Sequence, residues 1–315
     1  MKVVFFGTSS FAARTLKYLI DHKVDVCAIV TRPDRPRGRS LQLALPPVKE
    51  LALSAAPHIP VLQPEKASTP EFEAILRSYQ ADLFVVVAYG EIIKQHILDL
   101  PKLDCINIHA SLLPKYRGAA PIQRALMDGV SETGITIIQM TSKMDAGDIL
   151  AIQSVPVSNE MTFGELEPVL CQLGCELVLR VLEDFKAGTV NKVPQNPALA
   201  SVAPKILPQD EEIDWNRSAI SLHNQIRALS PFPSAWFKVQ LGDEEKRVKI
   251  KKSCVISEGV GSPGQILRFN KEGWVVACSQ GALQLLEVQM EGKKAMSAED
   301  FVKGLHKALT IKSFS

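Results

Sequence analysis

No Cys-x-x-Cys occurs anywhere in this chain, and its six cysteines are scattered, which excludes a disulfide framework or a zinc ribbon as the organising feature. Cys171 and Cys175, one helical turn apart, read as core residues rather than ligands. Long apolar runs are missing too: the longest stretch, "LFVVVAYG", falls far short of a membrane span. The opening "MKVVFFGTSS" holds one lysine and a four-residue apolar run, too short for a signal-peptide core. A soluble, cytoplasmic protein is the expectation. A net charge of +2 is too small to announce a nucleic-acid binder, so local clusters must make that case. Gly7 and Thr8-Ser9-Ser10 follow an apolar run, but neither the Gly-x-Gly-x-x-Gly nor the Walker spacing is present. A tight turn and a helix cap explain them, and neither NAD nor ATP is expected. His, Cys and carboxylates show no metal-ligand spacing, so no metal is expected either.

What is present is a chain of 315 residues, 46% hydrophobic, too long for one ordinary core and sufficient for two. Strand-like runs stand at "KVVFFGT", "VDVCAIV", "DLFVVVA", "CINIHA" and "GITIIQM". Helical patterns lie between them, at "FAARTLKYLI" and near 47–56, 70–79, 91–99 and 119–128, with a longer one over 162–187. Strands alternating with helices predict an α/β domain around a parallel sheet. Residues 190–210 hold four prolines and little periodicity, the composition of a linker. An amphipathic helix at "RSAISLHNQIRAL" and short strands with turns between them follow, predicting a small barrel or sandwich. The expected division is 1–189, linker 190–210, and 211–315.

Chemistry concentrates at "CINIHA". Side chains alternate along a strand, so Asn107 and His109 share one face about 7 Å apart. Ligands of open parallel sheets bind beyond the carboxyl ends of strands. If the strand at 134–140 lies parallel beside this one, joined by a right-handed crossover, Asp145 in "KMDAGDIL" falls at the same rim. There is no Gly-x-Ser-x-Gly elbow and no neighbouring nucleophile. Polar donors without a nucleophile suit direct acyl transfer to an incoming amine, with the oxyanion held by Asn107 and His109. The same residue types equally describe a strand end with Asp145 starting a turn, and residue types alone leave both readings open.

The adjoining "SLLPKYRGAAP" resembles the signature of the 10-formyltetrahydrofolate-dependent formyltransferases, and Asn107, His109 and Asp145 match that family's catalytic Asn, His and Asp. "FFGTSSFA", "PDRPRGR", "VVVAYGEII" and "APIQRAL" are similar to further segments of the first domain, in family order. "ALASVAPKI", "IDW" and "HNQIRALSPFPSAW" resemble the linker and second domain of the members that act on a charged tRNA; purine-pathway members lack that second domain. The resemblance implies a Rossmann-like formyltransferase domain followed by a smaller, oligonucleotide-binding-like β-barrel. It implies transfer of formyl from 10-formyltetrahydrofolate to the α-amine of methionine on initiator tRNA. Ser111, Leu112, Leu113 and Pro114 then match the folate-contacting signature, and Ala88, Tyr89, Gly90 and Ile92 the wall of the pterin pocket.

On the tRNA side, "TRPDRPRGR" places Arg32, Arg35, Arg37 and Arg39 in a loop with Asp34 as its one acid, suited to phosphate contacts. "KRVKIKK" puts Arg247, Lys249 and Lys251 on one strand face, opposite Val248 and Ile250. A charged outer face also serves plain solvation, and RNA contact is weighed against that. Lys205, Lys115 and Arg117 are further phosphate candidates. The chain departs from the family at "SLQLAL", where relatives carry lysines, at "EIIKQHIL", where they have Leu-Pro after the first Ile, and at "ASVAPKI", which lacks Thr-Tyr. Two other readings stay open: formylation of an amino sugar or small metabolite, and an RNA-binding protein with an inactive formyltransferase-like domain. The basic segments favour tRNA over the first, and the intact trio argues against the second. A monomer suffices for all of this.

Overall fold

Strand β1 (Lys2–Gly7) opens the chain with Val3, Val4, Phe5 and Phe6 out of solvent, the unbroken apolar run that a strand covered on both faces requires. Ser9 caps α1 (Ser10–Asp21), its hydroxyl accepting from the Ala12 N–H at 3.3 Å. There follow β2 (Asp25–Val30), β3 (Arg35–Arg37), β4 (Gln42–Ala44), α2 (Pro47–Ala55), β5 (Val61–Leu62), α3 (Pro70–Ser78) and β6 (Leu83–Val87). Next come α4 (Gln95–Leu98), β7 (Asp104–His109), α5 (Pro121–Met127), β8 (Glu132–Gln139), β9 (Ile149–Pro156) and α6 (Phe163–Ala187). The computed structural model describes residues 1–37, 42–256, 259–270, 273–304 and 309–311.

The first sheet has the order β5-β2-β1-β6-β7-β8-β9, with β5, β2, β1, β6 and β7 parallel. Its parallel strands end at one rim: Gly7 stands beside Val87, and Asn107 beside Val86. The expected parallel crossover from β7 to β8 is not what forms. β8 runs antiparallel, with Ile106 opposite Gln139 and His109 opposite Thr136. From Ile122 onward α5 belongs to the second compact unit, so it does not serve as the crossover helix that a parallel pair of β7 and β8 requires. The helix expected over 91–99 shrinks to α4. Glu91 is drawn to Arg32 and to the Ala67 N–H at 2.9 Å, and the Lys94 N–H donates to Ser68 Oγ at 3.1 Å, so 91–94 is held out of a helix. Cys171 and Cys175 are buried on α6, their thiols facing the Phe11 carbonyl at 3.6 Å and Thr15 Oγ1 at 3.8 Å.

Two compact units result: Met1–Pro121, Thr133–Val155 and Glu167–Ala203 form one; Ile122–Glu132, Pro156–Leu166 and Pro204–Ser315 the other. In the second, Ser218 caps α7 (Ala219–Leu229), which is followed by β10 (Ala235–Leu241), β11 (Glu244–Ile256), β12 (Ile266–Asn270), β13 (Gly273–Ala277) and β14 (Ala282–Met290). β15 (Met296–Ser297), α8 (Ala298–Lys303) and β16 (Leu309–Ile311) close the chain. The strands make one antiparallel curled sheet, a half-barrel in the order β12-β13-β14-β11-β10-β16, with β15 beside β14. Its core centres on Trp274, which meets Phe237, Phe269 and Phe301 at ring-centroid distances of 5.5, 5.1 and 5.3 Å. Among the described residues no helix is long and apolar enough to cross a membrane.

Candidate active site

Asn107 and His109 sit at the end of β7 because the buried Ile106 and Ile108 claim the opposite face of the strand. Asn107 is half-buried, and among the described residues its side-chain amide has no hydrogen-bond partner. His109 is 5% exposed. Its Nε2 lies 2.8 Å from the Tyr116 carbonyl. A carbonyl only accepts, so Nε2 carries the proton, and Nδ1 is the nitrogen left to take up or release one. Nδ1 stands 3.6 Å from Oδ2 of Asp145.

Asp145 reaches this point although β8 runs the other way. The loop after β8 doubles back: the Gln139 N–H donates to the Asp148 carbonyl at 2.9 Å, and Asp145 itself takes a left-handed backbone, φ +49°. Its Oδ2 also accepts from the Gly118 N–H at 2.8 Å. Gly118 has φ +125°, and a Cβ there would stand 2.7 Å from the Ala203 carbonyl oxygen, so that approach depends on glycine.

Gln195 escaped the reading of the sequence. Its Nε2 donates to the carbonyls of Asp145 at 2.9 Å and Gly147 at 2.8 Å. Its Oε1 accepts from Arg117 Nη2 at 2.7 Å. Ser201 Oγ accepts from the Tyr116 N–H at 2.9 Å, and the Ser201 carbonyl from the Arg117 N–H at 2.9 Å. The proline-rich stretch expected as a linker thus ties the Asp145 loop to the loop that carries Tyr116 and Gly118. Nothing in the sequence set Gln195 apart from Gln209 in the same proline-rich stretch.

The cofactor-side candidates divide by burial. Ser111 is enclosed, its Oγ donating to the Lys115 carbonyl at 2.6 Å, and Leu113 is buried; Leu112 and Pro114 are half-buried. Thr136 Oγ1 joins the Ser111 carbonyl at 2.7 Å to the Leu113 N–H at 3.1 Å, bracing the turn. After β6, Ala88 and Gly90 are exposed with positive φ, and Ile92 is 75% exposed. Tyr89 and Ile93 are buried. The Tyr89 ring meets Phe6 edge-on at 5.6 Å, and burial, aided by Glu91, pushes its phenol pKa up.

The basic loop forms a hairpin of β3 and β4, with Arg35 opposite Ala44. Arg32 pairs with Glu91, and Arg35 with Glu65 at 2.6 Å. Asp34 accepts from Lys49 and Gln63, both at 2.7 Å, and these hydrogen bonds pull its pKa down. Arg37 contributes backbone to β3, and Arg39 lies outside the described residues. Lys115 and Lys205 are exposed, while Arg117 is engaged by Gln195. On β11, Val248 and Ile250 are buried, with Arg247, Lys249 and Lys251 on the other face. Among the described residues no cluster of His, Cys, Asp or Glu is fit to hold a metal ion.

The chain is similar to known proteins in both of its parts. A family model described as "Formyl transferase" matches residues 1–182, and one described as "Formyl transferase, C-terminal domain" matches residues 205–306. The methionyl-tRNA formyltransferase of Protochlamydia amoebophila is 50% identical over 307 residues, covering 98% of this chain and 96% of that protein. The protein of the same name from Chlamydia abortus is 47% identical over 308 residues, covering 96% of this chain and 95% of its own. Among solved structures, the N-formyltransferase from Helicobacter canadensis in complex with folinic acid and dTDP-3-aminofucose has the same fold. Its TM-score is 0.66 at 19% identity, over 90% of this chain and 98% of that one.

Proposed function

The chain belongs to the formyl transferase family, with both of that family's domains, and from that premise we propose that it formylates the α-amine of methionine esterified to initiator tRNA, with 10-formyltetrahydrofolate as donor. The observation that carries this reading is likeness along nearly the whole chain, through both domains, to proteins named for that reaction. The α-amine needs no covalent relay, since such groups titrate near neutral pH and the free base is nucleophilic. Attack forms the C–N bond and puts negative charge on the formyl oxygen; collapse breaks the bond to the folate nitrogen. Asn107 donates to that oxyanion from an amide with no competing partner among the described residues. Nδ1 of His109 faces the same charge and, with Asp145, carries the proton from the amine to the departing nitrogen.

Ala88, Gly90 and Ile92 present the folate-side surface, which Tyr89 anchors from beneath. Leu112 and Pro114 line its edge, on a turn held by Ser111 and Leu113. Arg35, Arg37, Arg39, Lys205, Arg247, Lys249 and Lys251 are the proposed phosphate contacts, and Arg32 is spent on Glu91. The protein works as a monomer in the cytoplasm.

The deciding experiment offers 10-formyltetrahydrofolate together with charged initiator tRNA, free methionine or a nucleotide-linked amino sugar. Formyl transfer to the tRNA alone is the expected result. Transfer to the amino sugar, with charged tRNA untouched, overturns the proposal. Gln195→Leu probes the clamp beneath Asp145. It removes the bonds to the Asp145 and Gly147 carbonyls, and displacement of a reacting group by about 1 Å can cost roughly 10²-fold. The expected outcome is a kcat lowered about 10–10²-fold, with KM for both substrates within about twofold of the parent.

A further inference from the structure

The segment Ser230–Ser234 spends every one of its hydroxyls on holding its own shape. Ser230 Oγ donates to the Lys251 carbonyl at 2.8 Å, Ser234 Oγ to the Pro231 carbonyl at 2.8 Å, and the Ser234 N–H to the Leu229 carbonyl at 2.9 Å. Pro231 and Pro233 fix the backbone on either side of Phe232. Pro231 and Phe232 stand outside, and Phe232 is 75% exposed.

Two cations reach the same loop. Lys251 Nζ donates to the Pro231 carbonyl at 2.8 Å and to Ser234 Oγ at 2.7 Å, and Lys249 Nζ to the Pro233 carbonyl at 3.0 Å. An ammonium has three donors, so both keep capacity for another acceptor. Among the described residues, neither has a carboxylate within ion-pair distance. The acids at the start of β11 are taken elsewhere, Glu244 by Lys246 at 2.8 Å and Glu245 by Lys238 at 3.0 Å. Burial, and secondly the charge of Lys249, push the Lys251 pKa down against an opposing pull from Glu287; a bound anion relieves such a pair. Two residues along β11, the Arg247 guanidinium lies 4.3 Å from the centroid of the Trp236 ring.

A lone exposed ring is ordinary on a protein surface. A ring fixed between prolines, with two ammonium groups that lack an ion-pair partner among the described residues on the carbonyls either side of it, has the chemistry of a nucleotide platform. Bases stack on aromatic faces while cations take the backbone phosphates. A protein partner would need a wider apolar surface than one ring offers. We propose that Phe232, Lys249 and Lys251 form a site for one unpaired nucleotide of the RNA substrate, the base stacking on Phe232 and its phosphate held by the lysine pair. This rests on the tRNA reading above and adds to it a contact that is not electrostatic.

The test uses the full chain, charged initiator tRNA, a single-stranded RNA oligonucleotide carrying 2-aminopurine, a fully paired RNA duplex, and dTDP. Phe232→Ala is expected to weaken binding of the tRNA and the oligonucleotide by roughly 5- to 100-fold, to abolish stacking quench of the 2-aminopurine, and to leave duplex binding unchanged. The slope of log affinity against log salt stays as in the parent, and Phe232→Trp restores binding. Lys249→Gln with Lys251→Gln instead flattens that slope by about 0.7–0.9 for the one phosphate released. Unchanged binding in Phe232→Ala overturns the site, as does equal loss on the duplex. So does dTDP binding that depends on Phe232 while RNA binding does not. If the parent protein formylates tRNA and Phe232→Ala binds it normally, the site alone has failed. If the parent formylates no tRNA, the underlying reading has failed with it.

Discussion

Replacing Asn107 or His109 with alanine is expected to lower turnover at least about 10²–10³-fold, the loss typical of removing one oxyanion donor, with the protein still folded. The geometry makes the two effects separable from stability. The Asn107 amide has no side-chain partner among the described residues, so its removal breaks nothing in the fold. His109 gives up a single hydrogen bond, Nε2 to the Tyr116 carbonyl at 2.8 Å, worth about 0.5–1.5 kcal/mol net. Its ring is enclosed, and the cavity adds to that, but both sites lie at the strand's end and outside the apolar clusters around Trp274 and around Phe6 and Phe84. Single-turnover formylation alongside thermal unfolding gives both quantities. A folded alanine variant with near-normal turnover removes that residue from the chemistry.

The alternation along β7 was legible because it rests on a local rule: Ile106 and Ile108 need the core, so Asn107 and His109 must face away. The buried runs of β1 and β6 and the capped helices α1 and α7 were legible for the same local reason. The direction of β8 was not. It depends on where α5 finds its packing partners, and Met127 packs against the second unit's core, a long-range outcome that periodicity does not encode. Asp145 therefore arrives beside His109 by a different path from the one expected. A loop stabilised by Gly118, Gln195 and Arg117 brings it there, in place of a parallel strand end.

The basic segments show the same limit from the charge side. Their composition predicts cations, but pairing depends on folded neighbours. Glu65 and Glu91 lie well downstream of Arg35 and Arg32, and only the fold brings them together. Lys249 and Lys251 meet no such acid among the described residues, so unpaired positive charge shifts from Arg32 and Arg35 toward β11. Residue counts could not reveal that shift. The segment 190–210 was readable as proline-rich but not as a clamp, because a Gln side chain that bonds three groups looks in sequence like any surface Gln.

Asp145→Asn is expected to lower kcat by roughly 10²–10⁴-fold, the range spanned by positioned acid–base groups, while unfolding at nearly the parent temperature. Asparagine keeps an oxygen able to accept from the Gly118 N–H, now 2.8 Å from Oδ2, and it tolerates the left-handed φ of +49°. What it removes is the charge 3.6 Å from Nδ1 of His109. Asp145→Ala removes the acceptor as well and suits positive φ poorly, so it should lose stability by about 1–3 kcal/mol in addition to turnover. The two variants therefore divide the residue's work. Loss of turnover in both, with instability only in alanine, assigns the carboxylate's charge to the proton transfer. Near-normal turnover in the asparagine variant, with instability confined to alanine, leaves Asp145 as the residue that shapes its loop and takes the charge out of the reaction.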